Sequence, residues 1–216
     1  MNNTAAVDPT NVRNDFDYIG DEHNLALIQY VDSLTSTQMN FDADYAYDRF
    51  YSEELPERED FLMMVKQFRD ESHSDYTGLA DSLYRANVQL FIHFFNLIEI
   101  VEADQNLDFK VEAVNAYEDN LDYSSLPPEE ELALEAMFSV ARHSMVLWET
   151  TAQGGLGYGD TVTSKRYIGG SKDTHDIVLA DIGGVFGAAL FTGNPFCALA
   201  GGVVASAWEW GTQTLG

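Results

Sequence analysis

An uncharged, glycine-rich run near the C-terminus constrains this chain more than any other feature. No charged residue occurs from Ile182 to Trp208, and the tetrapeptide TGNP at 192–195 interrupts the run near its middle. This pattern predicts two short helices joined by a turn. Each predicted arm has about 15 residues, bracketed by Asp181 and Glu209, and falls short of the roughly 20 residues that a membrane-spanning helix needs.

Small residues recur at four-residue spacing in both arms. Gly183 and Gly187 form a G-x-x-x-G pair, and the spacing continues through Ala180, Gly184 and Ala188, then through Ala198, Gly201, Gly202, Ala205 and Ser206. Small residues at this spacing leave a groove in which a second helix can approach until the backbones touch. We therefore expect helix contacts at Gly183, Gly184, Gly187, Gly201, Gly202 and Ala205. The hairpin either packs on the rest of the chain, or inserts into a membrane or associates with copies of itself.

The acidic residues are concentrated in the first part of the chain. The 216 residues have a formal net charge of -25. Residues 1–150 hold 31 acidic and 8 basic side chains, whereas residues 151–216 hold 5 and 3. A negative field of this size repels phosphate backbones, so nucleic acid is not an expected partner. The single cysteine, Cys197, excludes a disulfide within the chain.

Apolar residues at three- and four-residue spacings predict about five helices before residue 150. These helices cover residues 21–34, 59–70, 78–103, 109–121 and 127–148. The helix over 78–103 has the longest apolar stripe, which is typical of the central helix of a bundle. The helix over 127–148 opens with two prolines and three glutamates, which favour a helix N-terminus.

Glycines concentrate between Thr151 and Asp176, which predicts a flexible connector with a short hairpin around 161–168. The sequence therefore predicts an all-α protein with three parts. An acidic helical bundle covers residues 1–150, a glycine-rich connector covers 151–176, and a glycine-zipper helical hairpin covers 177–216 and packs on the bundle or extends from it.

Two segments resemble known proteins. The C-terminal pattern DIGGVFGAALFTGNPFCALAGGVVASAW resembles the glycine-zipper segments of bacteriocin-like peptides, which implies membrane permeabilisation. The N-terminal DYIGDEHNLAL resembles uncharacterised, largely helical proteins of Bacteroidetes that have a similar G-x-x-H-N entry to the first helix. The second resemblance implies a bacterial helical family of unknown function.

Polar residues with a chemical role are few in the sequence. His23 and Asn24 precede Leu27 and Ile28 by four residues, so both side chains point toward a buried stripe. Hydrogen bonding at the helix start and a polar binding site both remain open for this pair. Residues 42–53 and 104–108 match a calcium loop only in part, because each lacks the glycine at position 6. The sequence has no complete catalytic, zinc or diiron motif, so we expect no catalytic residue, metal or cofactor.

These observations leave two classes of function. The first is a non-enzymatic interaction protein whose C-terminal hairpin mediates assembly or membrane contact. The second is an enzyme or small-ligand binder whose polar residues converge only in three dimensions, around His23, His93 or His143. The N-terminal MNNTAAVDPTNVRNDF has neither a basic nor an apolar signal region, which by default indicates a cytoplasmic protein.

Overall fold

The computed structural model describes residues 6–37, 47–48, 55–73, 88–159 and 174–215. Seven α-helices and two 3-10 turns lie in these ranges, and no strand occurs within them. The helices are α1 (Tyr18–Thr37), α2 (Arg58–His73), α3 (Val88–Glu102), α4 (Leu107–Glu118), α5 (Pro128–Trp148), α6 (Thr174–Thr192) and α7 (Pro195–Leu215). The predicted all-α fold is therefore confirmed, and five of the described helices begin before residue 150, in line with the predicted number of about five.

The start of α5 shows why its sequence forms a helix there. Pro127 has an extended backbone and Pro128 takes the first helical position, where the missing N–H costs least. Glu129, Glu130 and Glu131 lie in the first turn, where their charge favours the positive end of the helix dipole. Mainly apolar and small residues follow, with Glu135, Arg142 and His143 as the charged or titratable exceptions.

Helices α5 and α6 form the centre of the molecule. Every residue of α5 from Leu132 to Trp148 is buried, and so is every residue of α6 from Ile177 to Ala189. These two helices pack against each other, and α6 also packs on α7 and α2, whereas α1 packs on both α5 and α7. The apolar core is therefore shared between the acidic part of the chain and the C-terminal hairpin.

The prediction that the helix over 78–103 is central was wrong for the part that the structure describes. In α3, Val88 and Ile92 are each 42% exposed, and Glu99 and Glu102 face solvent. Leu90, Phe94, Leu97 and Val101 form its buried face, and Phe94 contacts Phe186 of α6 with ring centroids 5.4 Å apart. Residues 78–87, at the start of the predicted helix, lie outside the described residues.

The central position belongs instead to a helix with more small residues. Ala133, Ala136, Ser139, Ala141 and Ser144 are all fully buried in α5. Small side chains let neighbouring helices approach from several directions, because little volume separates the two backbones. The long apolar stripe of α3 therefore corresponds to one buried helix face. The central helix is α5, which has many buried alanines and serines.

The arms of the hairpin are longer than predicted. Helices α6 and α7 have 19 and 21 residues, and both extend beyond the uncharged run. Asp181 and Glu209, which were expected to end the arms, lie inside these helices and are 0% and 5% exposed. Between the arms, Gly193 has a φ of +59°, which a glycine adopts at little cost. The Asn194 side chain caps α7 by accepting a hydrogen bond from the Phe196 N–H at 2.8 Å.

The two arms touch backbone to backbone at one pair of glycines. A Cβ atom added to Gly184 would lie 2.6 Å from Ala205 Cβ, and one added to Gly201 would lie 2.5 Å from Ala188 Cβ. Either distance is too short for two carbon atoms in van der Waals contact. Gly184, Ala188, Gly201 and Ala205 therefore lie where the two arms of this chain approach closely. Gly183 and Gly187 are buried, and their part in helix contact stays a prediction.

Candidate functional site

The G-x-x-H-N segment at the start of α1 forms three separate contacts with the core. Gly20 lies against α5, where an added Cβ would be 2.6 Å from both His143 Cδ2 and Ser139 Oγ. The Gly20 N–H also donates to Ser139 Oγ at 3.0 Å. A side chain at position 20 would separate the two helices, so glycine is required for this close approach.

His23 reaches the hairpin. Its ring is fully buried beside Gly202 of α7, where an added Cβ would lie 2.9 Å from His23 Cδ2. His23 Nε2 lies 3.5 Å from Asp181 Oδ1 in α6, and neither atom has a hydrogen-bond partner. His23 therefore occupies a space that the glycine of α7 leaves open, next to a buried carboxylate.

Asp181 has further partners on α5. The Ser144 hydroxyl donates to Asp181 Oδ2, and the Trp148 indole N–H donates to the same oxygen at 3.3 Å. A buried carboxylate is destabilising unless hydrogen bonds or a counter-charge compensate for lost hydration. Ser144, Trp148 and His23 supply this compensation from two helices and thereby fix the position of α6.

Asn24 connects the two histidines of this region. Its amide donates to the His143 backbone carbonyl at 2.7 Å, and its Oδ1 lies 3.3 Å from His23 Nδ1. Gly20, His23 and Asn24 therefore hold α1 on α5 and on the hairpin. Because His23 is fully enclosed, the contacts favour hydrogen bonding within the core over a site for an external ligand at this pair.

A second buried polar cluster ties the N-terminal segment to α4 and α5. The Arg142 side chain is fully buried and donates to Asp17 at 2.5 Å, to Glu118 and, from Nε, to the Pro9 carbonyl at 2.9 Å. Asn11 and Asn14 each donate to Glu118 at 2.6 Å. Four of these contacts, at Pro9, Asn11, Asn14 and Asp17, hold the irregular segment in place, and the fifth joins Arg142 of α5 to Glu118 of α4.

The carboxyl groups near Arg142 have pKa values shifted in different directions. Burial raises the pKa of Glu118, even though Arg142 and two asparagines oppose the shift. Burial, together with the nearby charges of Glu131 and Glu118, raises the pKa of Glu135 to about 7. Burial also acts to raise the pKa of Asp17, but His143 and Arg142 outweigh it and the pKa is lowered.

The histidines do not converge on one site. His93 Nδ1 lies 2.8 Å from the Tyr117 hydroxyl between α3 and α4, and burial lowers the pKa of His93. His143 in α5 instead has its Nε2 3.6 Å from Asp17 Oδ2. Within the ranges that the structure describes, no three His, Cys, Asp or Glu side chains are grouped to hold a metal ion. The loop at 42–53 lies almost entirely outside these ranges.

Several exposed apolar side chains lie between α1 and the start of α7. Tyr18, Leu25 and Phe196 are 52%, 50% and 37% exposed, and with Leu199 they line an open groove of about 500 Å³. Glu22 adds an exposed carboxylate to the rim. We call this surface, formed by Tyr18, Leu25, Phe196 and Leu199, the apolar groove.

One helix among the described residues has the length and composition to cross a membrane. The window from His175 to Thr192 has a mean hydropathy of 1.3, and 72% of it is buried inside the protein. A buried core helix can have the same length and hydropathy, so these values do not distinguish a core helix from a membrane-spanning helix.

Comparison of the chain with protein-family models, curated proteins and solved structures found no match. The arrangement of side chains is therefore the basis for the functional proposals below.

Sequence reasoning identified His23 and Asn24 but missed their partners. The position of Asp181 could have indicated a buried polar contact. It immediately precedes an uncharged run, where a carboxylate must either face water or form hydrogen bonds. Arg142 was a second signal, since it interrupts the apolar face of α5. Asp17, Glu118 and Ser144 had no signal of their own, because only the fold brings them to these two residues.

Proposed function

We propose that this protein is a non-enzymatic interaction protein and that the apolar groove binds a basic, amphipathic helical segment of a partner protein. The observation that carries the proposal is the exposure of Tyr18, Leu25 and Phe196 on one surface that joins α1 to the hairpin. Contiguous exposed apolar side chains with a polar rim are typical of protein-binding surfaces.

The charge of the protein selects the chemistry of the partner. The net charge of -25 and the carboxylate of Glu22 on the rim favour a segment with lysine or arginine beside its apolar residues. An amphipathic helix that lays its apolar face into a groove is a common mode of recognition. The same charge on two copies of this chain opposes self-association through this surface.

The hairpin has a specific part in this proposal. The contacts of Gly184 and Gly201 lie between its own arms, whereas Phe196 and Leu199 of α7 line the groove. The small residues therefore support the position of α7, and the side chains beyond the turn supply the binding surface. Membrane contact through the hairpin is the competing proposal.

Binding of a labelled leucine–lysine amphipathic peptide, followed by fluorescence anisotropy, tests the groove. We expect Phe196→Asp to weaken binding by roughly tenfold, because an apolar anchor in a groove contributes on the order of 1 to 2 kcal/mol. Phe109→Asp is the matched control. Phe109 is 59% exposed on α4, lies outside the groove and gives the same change in charge and residue type.

Two results would count against this function. Equal effects of Phe196→Asp and Phe109→Asp would show that the peptide responds only to the overall negative charge. Flotation of the wild-type protein with neutral lipid vesicles, lost in the Phe196→Asp variant, would favour membrane contact instead.

A further inference from the structure

We propose that Lys110 is a covalent attachment site, where its amine condenses with a small uncharged aldehyde that has an apolar tail. Lys110 lines a cleft of about 490 Å³ between α3 and α4. No residue lines both this cleft and the apolar groove, so the site is separate from the surface proposed for a partner protein.

Lys110 is a buried lysine in a strongly acidic chain. The residue is 8% exposed, and its Nζ donates to the Val101 carbonyl near the end of α3 at 2.7 Å. Among the residues that the structure describes, no carboxylate forms an ion pair with this amine. The charged form therefore lacks the contacting counter-charge that usually compensates for burial of an ammonium group.

This environment favours the neutral, nucleophilic form of the amine. Burial lowers the pKa of Lys110, although the charges of Glu149 and Asp104 act to raise it. A larger fraction of the amine is therefore neutral near pH 7 than in an exposed lysine. A neutral amine can donate one N–H to Val101 and still offer its lone pair to a carbonyl carbon, as desolvated lysines do in Schiff bases.

The reaction is a condensation and needs no oxidant or reductant. The Lys110 nitrogen forms a bond to the aldehyde carbon, and the bond between that carbon and its oxygen then breaks. The oxygen leaves as water with the two hydrogens of the neutral amine, which gives an imine. A proton from solvent on the imine nitrogen restores one N–H, which can donate to the Val101 carbonyl as the amine did.

The cleft wall selects the rest of the molecule. Ile100 of α3 and Phe109 and Ala113 of α4 line it, and Phe109 is 59% exposed. An aldehyde held at Lys110 can place a phenyl or alkyl group against these residues, as in other sites with an apolar wall. Glu99 adds an exposed carboxylate to the lining, and with the net charge of -25 it disfavours an anionic carbonyl compound.

Trapping with 3-phenylpropanal and cyanoborohydride tests the proposal, because the reductant converts the imine to a stable secondary amine. Mass spectrometry of peptides then compares Lys110 with Lys66, an exposed lysine of α2 in the same molecule. We expect initial modification of Lys110 at pH 7 to be roughly fivefold faster than that of Lys66. Propanal, which lacks the phenyl group, should give a smaller ratio.

A pair of alanine variants tests whether the cleft is used. Ala113→Phe fills the cleft beside Lys110 and should remove the preference for Lys110 over Lys66. Ala116→Phe is the matched control and should keep it, because Ala116 is exposed on the same helix but does not line the cleft. The comparison of the two aldehydes uses the wild-type protein, so it does not depend on how either variant folds.

Modification of Lys110 no faster than that of Lys66 would overturn the proposal and leave the bond to Val101 as a contact that only stabilises the end of α3. Equal ratios for the two aldehydes, or equal effects of Ala113→Phe and Ala116→Phe, would also overturn it. Loss of peptide binding to the apolar groove has no bearing on these results, because the two surfaces share no residue.

Discussion

His23 in α1 and Asp181 in α6 face each other across 3.5 Å, measured from Nε2 to Oδ1, and both side chains are fully buried. The residues are far apart in sequence and belong to the two parts that the charge distribution separates. Their contact shows that the acidic part of the chain and the hairpin share one interior.

The His23–Asp181 contact should contribute measurably to stability. We expect Asp181→Ala to lower the free energy of unfolding by about 3 to 5 kcal/mol, because it leaves Ser144 and Trp148 without their acceptor and His23 without the facing carboxylate. A double-mutant cycle with His23→Ala should give a coupling of about 1 to 3 kcal/mol. Strict additivity of the two changes, measured by urea unfolding, would show that the two side chains do not interact.

The Gly184–Gly201 contact predicts that Gly201→Ala lowers the stability of the protein. In an ordinary helix, Gly→Ala stabilises by about 0.5 to 1 kcal/mol, since alanine has the higher helix propensity. Gly201→Ala should instead destabilise by about 1 to 3 kcal/mol, because the added methyl group meets Ala188 and the backbone of Gly184. An increase in thermal stability would contradict the close approach of the two arms.

Glu135 predicts a pH dependence of stability. Its folded pKa of about 7 lies above its ordinary value of 4.5, so the folded state binds the proton more tightly than the unfolded state. This contribution to stability is fully present below pH 4.5 and is lost as the pH rises through about 7.

The Glu135→Gln variant isolates this contribution. It should be more stable than wild type by about 1 kcal/mol near pH 8 and nearly equal to it near pH 5. The control is Glu112→Gln, an exposed position on α4 that changes the net charge equally. If both variants respond to pH in the same way, the effect comes from overall charge and not from burial of Glu135.

The division of the chain into a bundle of residues 1–150 and a hairpin of residues 177–216 stays a prediction. Removal of residues 177–216 tests it. Because α6 packs on α2 and α5 and its Phe186 contacts Phe94 of α3, the deletion would expose core residues such as Phe94. We expect the shortened chain to lose its cooperative thermal transition in circular dichroism. A sharp transition with retained helicity would show that residues 1–150 fold independently.

The helices could be predicted from the sequence because their signals are local. The apolar spacing around Phe61 and Val65 and the Pro-Glu start of α5 depend only on neighbouring residues. Their positions in the bundle could not be predicted in the same way. The relative burial of α3 and α5 depends on how closely helices approach, and a count of apolar residues does not measure that distance.

Only two residues of the candidate site, His23 and Asn24, could be predicted from the sequence. His23 and Asn24 stood out because they occupy the face of α1 that carries Leu27. Their neighbours, Asp181 of α6 and the His143 carbonyl of α5, lie more than a hundred residues away, and Ser144 of α5 in turn donates to Asp181. The exposure of Phe196 beside Leu25 likewise results from the packing of α7 on α1.

Native-state hydrogen exchange tests the central claim most directly, since it measures whether the hairpin opens with the rest of the core or by itself. The account predicts that the amides of 132–148 and 177–189 belong to the same slowest-exchanging group, because both segments are fully buried and pack on each other. Fast exchange of 177–189 while 132–148 stays protected would contradict it, because the hairpin would then open independently of the bundle.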